Sequence, residues 1–152
     1  KKTKNITTEK FVGLRSTKIS TLSAEVAKIK KIRNFINLNQ KKIAKEKINF
    51  NNGIVVDGRD IGSVVFKHAQ IKLYIETNPK IRAKRRHKEL IDRGEKSIYN
   101  NVLKEIKLRD YKDKNRSNSP LVIPKGAVII NNSENILKTK KFVRNYIFSK
   151  LF

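Results

Sequence analysis

The sequence of 152 residues contains no cysteine, no methionine and no tryptophan, and only two histidines. Without cysteine there is no disulfide framework and no thiolate metal site, and the isolated His68 and His87 cannot replace one, so no metal held directly by the chain is expected. No run approaches the roughly 18 apolar residues of a membrane span, and the N-terminus lacks the apolar stretch of a secretory signal. A soluble, cytoplasmic, monomeric protein with no membrane partner is the expectation. Aromatic residues are 7% of the chain, too sparse for a base-stacking platform. The missing methionine means that Lys1 is not an unprocessed start, and further sequence upstream is expected.

Acids are scarce too: 13 Asp and Glu stand against 37 Lys and Arg, a net charge of +24. Such a charge draws a protein toward polyanions. The 27 lysines are spread among Asn and Ile along the whole length, the pattern of a solvated surface, so nucleic acid is expected to bind only nonspecifically, if at all. Hydrophobic residues make up 38%, outside the composition of a disordered chain and enough for one modest core.

Residues 1–21 are polar apart from Phe11, Val12 and Leu14 and receive no element. Leu22, Val26, Ile29, Ile32 and Ile36 recur at steps of four and three, one face of a helix that Ser20 or Thr21 could cap, running with a break near Lys30 to about Lys47. Asn51-Asn52-Gly53 signals a turn. Ile54-Val55-Val56, Ile71–Ile75 and Ala127–Ile130 read as three strands. Helices are predicted from Pro79 to about Arg93, stopped by Gly94, from about Ser97 to Lys114, and from Ile136 to Phe148. Strands alternating with helices predict an α/β fold with a parallel sheet.

In such sheets ligands bind beyond the carboxyl ends of strands, which singles out Asp57-Gly58-Arg59-Asp60 after Ile54-Val55-Val56. An Asp there can hold a metal through water and an Arg can fork onto phosphate oxygens; a tight turn with a local Arg–Asp pair is the competing interpretation. Arg109, Asp113 and Arg116 lie on one helical face that continues the stripe of Val102 and Ile106, so the stripe should carry these charges inward to a cleft, against the alternative of a solvated ion-pair ladder. Arg82, Arg85, Arg86 and Arg93 could meet a polyphosphate or simply solubilise their helix, and Arg33 is equally ambiguous. His68 and His87 are expected at the surface. No nucleophile stands beside a base. Two Arg/Asp-rich sites without a general-base histidine suit phosphoryl transfer, where the protein mostly positions phosphates and neutralises charge.

The segments Val56-Asp57-Gly58-Arg59-Asp60-Ile61-Gly62-Ser63-Val64-Val65-Phe66, Ile81-Arg82-Ala83-Lys84-Arg85-Arg86, Glu105–Asp110 through Asp113 and Asn115-Arg116, and Pro120-Leu121 closely resemble bacterial cytidylate kinases in wording, order and spacing. Val26-Ala27 with Ile32-Arg33 resembles that family's monophosphate-binding insertion. The resemblance implies transfer of the ATP γ-phosphate to CMP or dCMP with Mg²⁺, in a P-loop nucleoside monophosphate kinase-type fold. It implies an insertion remnant over residues 1–50 and the C-terminal part of the kinase core over 51–152, with a lid at about 82–109. By the same resemblance Arg59 and Arg116 hold the monophosphate, Arg33 and Asp60 read cytosine, and Arg109 and Asp113 grip the ribose. Asp57 stands near Mg²⁺ and the phosphates, and Arg82, Arg85 and Arg86 are lid candidates for the transferred phosphate.

The departures are as specific. No G-x-x-x-x-G-K-[ST] occurs, so the ATP cradle is absent from these residues, as are the family's first strand and the early Ser and Arg that bind the monophosphate. Ala24 stands where the family contacts cytosine through Ser, Ser63 replaces a usual Thr, and Lys67-His68 replaces Pro-Asp. An uncovered sheet edge and apolar face are therefore expected, and this chain alone is expected neither to phosphorylate CMP nor to bind ATP tightly. A non-catalytic remnant binding nucleic acid or phosphates through its basic surface is the alternative.

Overall fold

The computed structural model describes residues 17–48 and 53–152. The Phe11-Val12-Leu14 group, the Asn51-Asn52 turn signal and the side chains of Ser20, Thr21 and Ala24 lie outside the described residues. Two compact units divide the chain at Ile54 and Val55.

In the first unit, α1 spans Thr17–Val26 and α2 spans Lys30–Ile48. The helix thus starts five residues before Leu22, and the break falls at residues 27–29. There the bonds tighten to i→i−3, Lys28 N donating to Glu25 O at 3.1 Å and Ile29 N to Val26 O at 3.1 Å. Arg33 stitches the break by donating Nε to Ala27 O at 3.2 Å. The apolar stripe that marks the helices is not buried: Leu22, Val26, Ile29 and Ile36 are all exposed, and Ala44 is the buried residue of α2. Periodicity identifies a helix, but burial needs an opposing surface.

The run before Asp57, Ile54-Val55-Val56, expected as the first strand, is not one, and Val55 is 99% exposed. A β-rich run becomes a strand only when a neighbour takes its backbone N–H and C=O groups, and no described strand lies alongside this one. The chain instead enters a π-helical turn at Ile61–Val65, in which Val64 N and Val65 N both donate to Asp60 O, at 2.8 and 3.2 Å. Two glycines permit this path. A Cβ on Gly58 would sit 2.7 Å from Ile61 Cγ1, and one on Gly62 would sit 2.9 Å from Pro124 Cγ.

Strands β1 (Leu73–Glu76) and β2 (Val128–Asn131) pair in parallel, with Leu73 opposite Val128 and Ile75 opposite Ile130. The parallel pairing expected from the alternation is present, with two strands among the described residues. Between them run α3 (Pro79–Asp92) and α4 (Tyr99–Asn115), and α5 (Ile136–Leu151) follows β2. Asn78 caps α3 by accepting from Lys80 N at 2.9 Å, Pro79 occupies its first turn, and Gly94 ends it at φ +74°. Asn135 caps α5 in the same way. The core consists of Val65, Ala83, Val102 and Ile130, with α3 packed on α4. Lys72 ties the strand entry to two loops, donating Nζ to Lys67 O at 2.7 Å and Lys125 O at 2.8 Å. No helix of the described residues is long and apolar enough to cross a membrane.

Candidate functional site

The last turn of α4 gathers the charges. Val102 is buried and Ile106 half-buried, and the stripe they begin carries Asp113 and Arg116 inward, with side chains only 13% and 15% exposed. Arg109, expected on the same inward face, is 59% exposed. The reason is geometric: at about 100° per residue a step of three from Ile106 falls about 60° short of a full turn, while the step of four, to Asp110, passes it by only about 40°.

Asp113 is the hub. Arg59 Nε lies 3.0 Å from its Oδ2, Arg109 Nε lies 4.0 Å from the same oxygen, and Arg116 Nη1 lies 3.8 Å from Oδ1. Oδ2 is sealed from water and held by charge, with no aligned hydrogen bond. Arg116 is set by the loop after the helix, where it donates Nε to Ser119 O. Ser119 takes φ +52°, and Leu121 N closes the loop onto Asp113 O at 2.8 Å. Three guanidiniums converge on one carboxylate at a partly open surface, an arrangement suited to a phosphate group.

The Asp57–Asp60 segment therefore contributes to this cluster, but from a loop leading into a π-helical turn and not from the end of a paired strand. Arg59 reaches Asp113, Asp60 is buried at the start of the turn, and Asp57 is exposed. The local Arg–Asp pair of the competing interpretation is not what forms: Arg59 pairs with a carboxylate of α4.

The arginines of α3 and its C-terminal cap divide. Arg82 makes a two-pronged pair with Asp110, Nη1 to Oδ1 at 2.9 Å and Nη2 to Oδ2, and donates Nε to Thr77 O at 3.0 Å. The hydrogen bonds to Asp110 hold the Arg82 guanidinium above its ordinary pKa, and those from Arg82 hold the Asp110 carboxyl below the usual carboxylate range, with Arg59 and Lys114 adding to the effect. Arg85 is exposed and donates to Asn132 O at 2.9 Å, while Arg86 and Arg93 both meet Glu89. Arg33 lies in the first unit, half-buried against Ala27 O. His68 is exposed as expected, but His87 is half-buried, its Nδ1 2.9 Å from Ser97 Oγ. No cluster of three potential metal-ligating side chains occurs among the described residues.

Asp110 escaped the sequence reading. Its signal was the stripe itself, since Val102, Ile106 and Asp110 recur every four residues, but its partner lies 28 positions away.

Comparison with known proteins agrees with the motifs. The family described as cytidylate kinase matches residues 3–146. The chain is 37% identical to the cytidylate kinase of Rickettsia akari over 94% of its own length and 64% of that protein's. It is 36% identical to that of Rickettsia felis, over 97% of itself and 66% of the relative, and 38% identical to that of Thermosipho melanesiensis, over 84% and 60%. It thus spans less than two thirds of the length of these relatives. With a profile match over nearly all its residues, the chain belongs to the cytidylate kinase family.

Proposed function

We propose that this chain is the monophosphate-binding and lid-bearing part of a cytoplasmic cytidylate kinase with a P-loop nucleoside monophosphate kinase-type fold. The reaction moves the γ-phosphoryl group of ATP onto a phosphate oxygen of CMP or dCMP, giving CDP or dCDP and ADP. The observation that carries this is the convergence of Arg59, Arg109 and Arg116 on Asp113. In this reading Arg59 and Arg116 clamp the monophosphate, Arg109 and Asp113 face the ribose, and Asp60 recognises cytosine; Arg33, in the first unit, is a separate candidate for reading the base. Arg85 and Arg86 neutralise charge on the transferred phosphate. Asp57, a single exposed carboxylate, fits an Mg²⁺ ion that keeps most of its waters and is held chiefly by substrate phosphates. Such an ion neutralises phosphate charge; what the chain itself supplies is position.

These 152 residues hold no glycine-rich loop ending in Lys and Ser or Thr, so the chain by itself binds CMP without turning it over. That absence, with the net charge of +24, also favours one second reading, a non-catalytic remnant that binds polyanions through its basic surface. Equilibrium titration with CMP, AMP and single-stranded DNA at 50 and 300 mM salt separates the two. Saturable CMP binding that discriminates against AMP and is lost in Arg116→Ala supports the kinase reading. Binding that ignores the base and collapses with salt supports the remnant, because counterion release governs it. Enzyme-like turnover of CMP with ATP by the isolated chain would refute the expected inactivity.

A further inference from the structure

We infer that Asp110 is a positioning residue and that Arg82 is its brace, not a phosphate ligand. The inference rests on the nucleotide-site reading above and deepens it. Arg82 spends both prongs of its guanidinium on Asp110 and its Nε on Thr77 O, just past the end of β1, so one side chain ties together the strand end, α3 and α4. Its neighbour Ala83 is completely buried where α3 meets the core, so the base of the Arg82 side chain cannot swing without disturbing that packing. Asp110 sits beside Arg109 and one turn before Asp113. Whatever fixes Asp110 fixes the direction in which the end of α4 presents Arg109, Asp113 and Arg116. The Asp110 carboxylate is 23% exposed against 40% for Glu89, and its pair with Arg82 bridges two helices where the Glu89 pairs join residues three and four apart.

The opposite assignment has an opposite consequence. If Arg82 were a phosphate ligand, Asp110 would compete for it, and removing the carboxylate charge would strengthen binding of the monophosphate. If Asp110 positions α4, removing the charge weakens it. Asp110→Asn keeps the shape and loses the charge, and Asp110→Glu keeps the charge.

The test uses the full chain, with CMP titrated calorimetrically and spin labels placed on the exposed positions 88 in α3 and 104 in α4. The expected result is a narrow label-to-label distance in the unaltered protein. In Asp110→Asn the distribution broadens and CMP affinity falls about tenfold, within the range that an ångström of misplacement costs a positioned site; Asp110→Glu recovers both. Unchanged or tighter CMP binding in Asp110→Asn, or a distance as narrow as before, overturns the inference. Should Asp110→Asn fail to fold, the exchange Arg82→Asp with Asp110→Arg decides: recovered spacing and affinity support the brace, whereas recovered spacing with lost affinity shows Arg82 to be a ligand. If the unaltered chain binds no CMP, the nucleotide-site reading falls, and the label distances alone still uphold or overturn the brace.

Discussion

Helices α2 and α4 are of similar length, 19 and 17 residues, and both carry apolar side chains at helical spacing. In α4 the stripe is used: Val102 is buried, α3 packs alongside, and the stripe's charged continuation is paired across elements, Asp110 with Arg82 and Asp113 with Arg59. In α2, Ile36 and Ile43 on the stripe are 41% and 55% exposed. The same 3.6-residue pattern thus yields a structural helix in one unit and an uncovered one in the other. A pattern states which face wants burial; only an opposing element, with partners for the charges at its rim, supplies it.

That contrast can be broken by substitution. Ile130→Ala, in β2 at 5% exposure, should cost about 3 kcal/mol in urea unfolding, whereas Phe35→Ala in α2 should stay within about 0.5 kcal/mol. Equal effects would show that the first unit is packed as tightly as the second. Arg116→Ala should weaken CMP binding about thirtyfold by calorimetry, the ~2 kcal/mol of a charge-assisted hydrogen bond. Gly62→Ala should lower stability by about 1–2 kcal/mol, because its Cβ would meet Pro124 Cγ at 2.9 Å, while Gly53→Ala, with nothing within 4 Å, should be neutral in the same unfolding assay.

The smallest effect concerns pH. The Asp110 carboxyl is held below its ordinary value by Arg82, so its contribution is complete above about pH 4 and disappears as pH falls through the lowered folded-state value. The raised Arg82 guanidinium keeps its proton throughout the acid and neutral range. Urea midpoints compared between pH 6 and pH 3 should therefore show an acid loss that Asp110→Asn reduces by under ~1 kcal/mol. An identical acid loss in the variant would place the destabilising protonation elsewhere.

The local signals were legible. Asn78-Pro79 and Gly94 bounded α3, and the alternation of helices with β-branched runs announced the parallel pairing. The stripe through Val102 and Ile106 placed Asp113 and Arg116 inward. What depended on distant partners was not legible. Ile54-Val55-Val56 has strand composition but no strand alongside among the described residues, and the early start of α1 is marked only by Ile19, three residues before Leu22. The pairing that separates Arg82 from Arg85 and Arg86 is made with a carboxylate 28 residues beyond Arg82. Motif matching treated those three arginines alike, and the structure separates them.

The central claim, that Arg59, Arg109 and Arg116 around Asp113 form the CMP site while Arg82 serves as a brace, is tested most directly by NMR of the arginine Nε–H signals during CMP titration. The expected result is that Arg59, Arg109 and Arg116 shift and saturate together while Arg82 stays in place. Movement of Arg82 with the other three unmoved, or the same shifts with AMP, would contradict it.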